Sequence, residues 1–341
     1  MSFLKNKVLF RCDAADIPEI GTGHIFRCLT IASSLKKKFN LKNNDIAFLI
    51  KSNGKFKKGI KILNLYNYRV IKIKKNKLKL NSFEEAKYLI KNPSNLLIID
   101  RLGKTNMNFF KNIKNSFKKK IIIDDSSQIR KYFDLSINPL INNVKKFNNS
   151  YVGFKHLILP SFSFKRSINI KKNNIFLFFG GYDKGNFTAK VMKALNKFPI
   201  KLNLFVHKTL KEKVKNNSTT NNVFYYSHLD YLKTLKSSNI AITAGGMGLF
   251  DSILFNKKII CIPQYKHQEI NAKKISNKQA INLIYANNKN FKNKLSKMFL
   301  RVYESKKNIE NLKKIKKRII NNLKIKKTFQ LIFNLYEKSK Y

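Results

Sequence analysis

Ten apolar stretches of strand length recur along this chain, and most are continuously apolar rather than alternating. A first series reads KVLFRCD (7–13), IAFLI (46–50), RVIKI (69–73), NLLIID (95–100) and KIIIDD (120–125). A second reads NIFLFFGG (174–181), KLNLFVH (201–207), NVFYY (222–226), NIAITAGG (239–246) and KIICIP (258–263). Segments of helical period lie between many of them. A strand that is apolar on successive residues must be covered on both faces, as in the centre of a parallel sheet flanked by helices. The pattern predicts an α/β domain in each half of the chain. Between the two series, LPSFSFKRSINIKKNN (159–174) loses its periodicity and gains Pro, Ser and charge, which sets the boundary at about residue 168. The expected domains are 1–168 and 169–341. A length of 341 residues, 43% of them hydrophobic and 28 of them Phe, suffices for two cores. From Phe291 onward, Leu, Ile and Phe at helical spacing predict two or more terminal helices, assigned to the second domain.

Charge and cysteine exclude several classes. The net charge of +53 would ordinarily point to nucleic acid or an anionic membrane. Here 63 of the 71 basic residues are lysine, interspersed with Asn, Ile and Phe throughout, as an AT-rich coding bias produces. Lysine runs beside helical or strand patterns read as solvated faces, so no nucleic-acid partner is expected, while peripheral contact with anionic lipid headgroups stays open. Cys12, Cys28 and Cys261 stand far apart without metal-ligand or disulfide spacing, which fits a reducing cytoplasm. The first residues lack the apolar run of a signal peptide, and no stretch of about 18 uncharged apolar residues follows. Neither export nor a transmembrane segment is expected.

Glycine turns follow strands in both halves, at the sheet edge where open α/β folds bind ligands. In IGTGHIFRCLT (20–30), Gly21 and Gly23 permit a tight turn, and the helix beginning near His24 directs its amino end to the same place. His24 reads either as a capped helix start or as a general base, histidine being the side chain whose unperturbed pKa of about 6.5 lies nearest neutrality. Asp13, at the end of the first strand, reads as a turn carboxylate or a substrate contact, and Arg27 is a further candidate for substrate contact. In the second half, GGYD (Gly180, Gly181, Tyr182, Asp183) and the AGGMG turn with Gly245, Gly246 and Met247 are backbone cradles suited to phosphate. Asp251, about one turn into the following helix, can accept from ribose hydroxyls or simply suit a helix start. His267, Gln268 and Asn271 form a polar cluster after Pro263, readable as capping or as ligand contact. No P-loop, HExxH or GxSxG motif occurs, and Asp124 with Asp125 lacks a third ligand, so neither a metal nor another cofactor is expected.

FRCDAADIPEIGTGHIFRCLTIASSL resembles the opening of the UDP-2,4-diacetamido-2,4,6-trideoxy-β-L-altropyranose hydrolases of pseudaminic acid biosynthesis and of related spore-coat polysaccharide biosynthesis proteins. NLLIIDRLG, IIIDDSSQIRKYFDLSINP, YVGFKHLILPSF, FLFFGGYD, AITAGGMGLFDSILF and KHQEINA follow in the family's order and at about its spacing. The resemblance implies a GT-B fold like that of the lipid II glycosyltransferase, with two Rossmann-like domains facing across a cleft and UDP held mainly by the second. It implies hydrolysis of a UDP-sugar at the anomeric carbon, inverting and metal-independent, with His24 as the base. It also implies the GGYD and AGGMG loops at the diphosphate and Gln268 at the sugar or phosphates. Apart from the resemblance, a monomer is expected. The chain departs from the family pattern in carrying Leu102 for a Tyr, Leu159 for an Arg, Asp251 for a Glu and His267 for an Asn. The alternative is a glycosyltransferase that uses a UDP-sugar on the same fold.

Overall fold

The computed structural model describes residues 6–15, 20–74, 78–101, 103–140, 144–159, 169–180, 183, 185–215, 219–275, 281–285, 290–305, 314 and 325–341. The chain divides into two compact units, one of residues 1–162 with 322–341 and one of residues 163–321.

In the first unit the apolar runs become strands β1 (Asn6–Cys12), β2 (Ile46–Lys51), β3 (Arg69–Ile73), β4 (Ser94–Asp100) and β5 (Phe117–Ile123), with β6 (Leu135–Asn138) and β7 (Ser150–Val152) added beyond them. They form a seven-stranded sheet in the order β3-β2-β1-β4-β5-β6-β7, parallel at every pairing. Helices α1 (Gly23–Phe39), α2 (Lys57–Leu65), α3 (Phe83–Ile90) and α4 (Met107–Ile113) connect the strands. The order reverses between β1 and β4, so the connections from these neighbours depart in opposite directions and leave a crevice at their carboxyl ends. Helix α1 buries Ile25, Cys28, Leu29, Ala32 and Leu35, one stripe of helical period, against the sheet. It ends on Asn40 in the left-handed region, with Lys36, Lys37 and Lys38 in the last turn, where cations suit the helix dipole.

The second unit repeats the scheme. Strands β8 (Lys171–Phe178), β9 (Asn203–His207), β10 (Asn222–Tyr226), β11 (Ser238–Thr243), β12 (Lys258–Cys261) and β13 (Ile281–Leu283) form a parallel sheet in the order β10-β9-β8-β11-β12-β13, with its reversal between β8 and β11. Helices α5 (Phe187–Leu195), α6 (Lys211–Val214), α7 (Tyr231–Ser237), α8 (Met247–Leu254), α9 (Lys266–Ile275) and α10 (Phe291–Glu304) accompany it. Not every lysine is a surface residue. Lys257 is buried, donating at 2.6 Å to the carbonyls of Lys236 and Ser238 at the end of α7, and burial pushes its pKa down to about 8.

One assignment is corrected. The last helix, Ile325–Lys338, belongs to the first unit rather than to the second domain. Phe329, Ile332 and Tyr336 join the first core, Tyr336 packs on Phe39 with ring centroids 4.7 Å apart, and His156 Nδ1 lies 3.2 Å from Thr328 Oγ1. An amphipathic stripe requires an apolar partner but does not specify which one. The expected boundary at residue 168 lies outside the described residues, as do Leu102, Gly181 and Tyr182. Among the described residues no helix is long and apolar enough to cross a membrane.

Candidate active site

His24 stands at the amino end of α1, beside the reversal between β1 and β4. A backbone bond from Ala15 N to Gly21 O, 2.9 Å, closes the loop after β1, and Gly21 takes a φ of 54° there, the left-handed region that glycine enters without cost. The His24 ring is 16% exposed, and its Nδ1 lies 2.7 Å from Asp100 Oδ1 at the carboxyl end of β4. Asp100 is an acceptor only, so Nδ1–H donates and Nε2 is left as the basic nitrogen. The Asp100 carboxylate is wholly buried. Burial opposes its ionisation, but the charge and hydrogen bonds of Arg27, and then those of His24, outweigh that and hold its pKa below the ordinary value.

Arg27 is expected from sequence to touch substrate, and the structure turns it inward. Its Nε donates to Asp100 Oδ2 and its Nη2 to Asp100 Oδ1, both at 2.6 Å, while Nη1 donates to Asp124 Oδ2. Asp13 is also corrected. It is 3% exposed, accepting from Arg11 Nη2 and from the Lys51 amide at 2.9 Å each. Both oxygens are used within the protein, so Asp13 serves the fold. It belongs to a buried set in which Glu85 meets Arg11 Nε at 2.8 Å and Arg101 Nε at 3.3 Å. Asp125 accepts from the amides of Thr105 and Ser127.

In the second unit, Gly180 follows β8 and Gly245 and Gly246 follow β11, so the two turns flank the reversal of that sheet. Gly180 has a φ of 81°. A Cβ on Gly245 would lie 2.3 Å from the Gln268 carbonyl oxygen, which brings the start of α9 against this turn. Gln268 Oε1 accepts from the Gln264 amide at 2.9 Å, and Gln264 Nε2 donates to the Phe179 carbonyl at 2.6 Å, so β8 and the segment after β12 are tied at the same edge. Gly246 is the residue before α8, and Met247 begins that helix. Asp183 is corrected from a diphosphate ligand to a helix cap. Its oxygens accept from the amides of Phe187 and Thr188, 2.8 and 2.9 Å, at the start of α5. His267 lies on α9, and its side chain falls outside what the structure describes.

Asp251 and Asn271 are buried with polar atoms unpaired. Asp251 Oδ2 accepts from Tyr231 Oη at 2.9 Å, while Asp251 Oδ1 and Asn271 Nδ2 have no hydrogen-bond partner. Burial pushes the Asp251 pKa up to about 7, against the opposing effect of the Tyr231 hydrogen bond. Such atoms are costly in an isolated protein and suited to a polar ligand.

Sequence reasoning missed Asp100, Asp124 and Tyr231. Asp100 was legible as the last residue of an apolar strand, a carboxylate delivered to the sheet edge. Asp124, in the IIIDD stretch, reads from sequence only as a metal ligand without partners.

A family model for the glycosyltransferase family 28 C-terminal domain matches residues 177–329, most of the second unit and the start of the last helix. Uncharacterized protein MJ1062 of Methanocaldococcus jannaschii is 29% identical over 276 residues, covering 73% of this chain and 54% of that protein. The chain thus spans about half the length of this relative. Among solved structures, MurG of Acinetobacter baumannii superposes with a TM-score of 0.62 at 14% identity, over 98% of this chain and 99% of that one. LpCGTa, solved in complex with UDP, superposes at 0.64 with 10% identity, over 98% and 100%. These likenesses carry the fold, which is of the GT-B glycosyltransferase type with two parallel-sheet α/β units.

Proposed function

We propose that this chain breaks the bond between the anomeric carbon of a UDP-linked sugar and its diphosphate, with His24 as the base that activates the incoming hydroxyl. The observation that carries the reading is the 2.7 Å contact between His24 Nδ1 and Asp100, which leaves Nε2 to accept a proton. The attacking oxygen bonds to the anomeric carbon and its proton passes to His24 Nε2. The carbon–oxygen bond to the β-phosphate breaks, and its electron pair leaves with UDP. Attack opposite the leaving group inverts the anomeric centre. Asp100, held ionised, stabilises the imidazolium that forms.

For the nucleotide-sugar we assign the turns of Gly180, Gly245 and Gly246 and the amino end of α8 to the diphosphate. The unpaired Asp251 Oδ1 and Asn271 Nδ2 offer one acceptor and one donor to sugar hydroxyl or amide groups. A transferase, in which the nucleophile is an acceptor hydroxyl, is the leading form, supported by the match to a glycosyltransferase family 28 domain. Hydrolysis of a 2,4-diacetamido sugar for pseudaminic-type acid or surface polysaccharide synthesis is the second form. It is favoured by the ordered motifs, among them the GTGHIFRC turn that carries the base. A monomer acting in the cytoplasm completes the proposal.

The test is UDP release from a panel of UDP-sugars, with wild type beside His24→Ala. Release that needs an added acceptor and disappears in the variant supports the transferase, and release in buffer alone supports the hydrolase. Full release by His24→Ala would overturn the assigned base in both forms.

A further inference from the structure

The carboxyl ends of β4 and β5 and the first turns of α1 hold more ionic machinery than a histidine and its partner require. Arg27, 5% exposed at its side chain, grips both oxygens of Asp100 with Nε and Nη2 and spends Nη1 on Asp124. Asp124 is anchored in turn. Its Oδ1 accepts from the Leu140 amide at 3.2 Å, its own amide donates to the Ile137 carbonyl at 2.9 Å, and its φ is 50°. That left-handed backbone is a disfavoured state for a residue with a Cβ, held here by the loop after β6.

Buried ion networks roughly break even against apolar packing, so stability is a weak reason for this arrangement. Its geometry offers a better one. Asp100 Oδ1 is where Arg27 Nη2 and His24 Nδ1 converge, at 2.6 and 2.7 Å. A carboxylate gripped at both oxygens by a planar fork cannot rotate, so the plane in which it meets His24 is set. The fork itself is held by its third nitrogen on Asp124. Arg27 Nη2 also lies 3.5 Å from His24 Nδ1, but its 2.6 Å bond to Asp100 Oδ1 is far the shorter and Asp100 is the 2.7 Å partner of Nδ1. Two further groups near the dyad are occupied or neutral. Cys28 Sγ, 3.8 Å from Asp100 Oδ2, belongs to a buried thiol whose pKa is pushed well up, first by burial and then by Cys12, and Asp13 is turned to Arg11.

We propose that Arg27 and Asp124 are positioning residues that fix the proton of His24 on Nδ1 by immobilising Asp100. The inference rests on the reading of His24 as the base, but its test reads the imidazole directly.

The chain has five histidines, so the His24 signals in spectra of protein labelled with ¹⁵N-histidine are assigned by their loss in His24→Ala. Where the ring is neutral, the wild type should show one His24 tautomer, with Nδ1 protonated and Nε2 bare. Arg27→Lys and Asp124→Ala should each give a mixture of tautomers and lower kcat for UDP release by about tenfold to a hundredfold, with KM changed less than about twofold. Asp124→Asn, which keeps an acceptor for Arg27 Nη1, should restore most of both. A wild-type His24 protonated on Nε2 would overturn the proposal. So would a single unchanged tautomer in Asp124→Ala, or equal loss in the Ala and Asn variants. Should Arg27→Lys not fold, the Asp124 pair decides alone. Spectra as expected without UDP release from any sugar would sink the proposed reaction and leave the positioning intact.

Discussion

Asp251 should make the second unit less stable than it could be, in a way that depends on pH. Its side chain is buried in α8, one oxygen accepts from Tyr231, and no basic side chain pairs with it among the described residues. Burial raises its pKa from the ordinary 3.8 to about 7. Below about pH 4 both the folded and the unfolded chain hold the proton, and the group is neutral in its effect. Between about pH 4 and 7 the unfolded chain releases the proton while the folded one keeps it, so stability falls as pH rises. Above about 7 the whole penalty is present. At about 1.4 kcal/mol per pH unit, the rise amounts to about 4 kcal/mol. Asparagine can still accept from Tyr231 and does not ionise. Asp251→Asn should therefore match the wild type near pH 4 and exceed it by about 4 kcal/mol at pH 8, with a melting temperature higher on the order of 10 °C. Urea unfolding of both proteins at pH 4, 6 and 8 measures the gap, and other titrating groups cancel in the difference. UDP-sugar affinity, read by calorimetry, should move the opposite way, because an amide cannot replace a carboxylate accepting from two hydroxyls. A gap of the same size at pH 4 and 8, or a wild type more stable at pH 8, would refute the reasoning.

Three further outcomes follow from the geometry. Glu85→Gln removes the fully buried charge between Arg11 and Arg101 and should cost about 3–5 kcal/mol in urea unfolding. Asp183→Ala strips two amides at the start of α5 of their acceptor and should lower stability by about 1–2 kcal/mol; a diphosphate ligand would instead raise KM and leave the melt unchanged. Gly245→Ala puts a methyl group 2.3 Å from the Gln268 carbonyl oxygen, so the start of α9 must shift, and UDP affinity should fall at least about tenfold by titration calorimetry.

The central strands were legible because each is apolar along its length, a property written into consecutive residues. The short strands β6, β7 and β13 were not, being only three or four residues long, with β7 and β13 at sheet edges and all of β7 only half buried. Such segments acquire strand structure from a neighbour already in place. Among candidate residues, the glycine turns were legible for the same local reason, since a turn's backbone needs are met within a few residues.

Asp13 and Asp100 show where local reading stops. Each stands at the carboxyl end of a central strand, and the strands are neighbours, with Cys12 paired to Asp100 in register. By sequence they are the same kind of residue. In the fold, Asp13 is claimed by Arg11 from its own strand, whereas Asp100 meets His24 and Arg27 from α1, more than 70 positions away. Periodicity and turn chemistry determined that this chain would form two α/β units and that His24 would stand at a sheet edge. Which carboxylate faces that histidine, and which core receives the last helix, were decided by tertiary structure. Hydrogen bonds and apolar contacts between distant residues depend on register and helix placement, and no run of neighbouring residues contains that information.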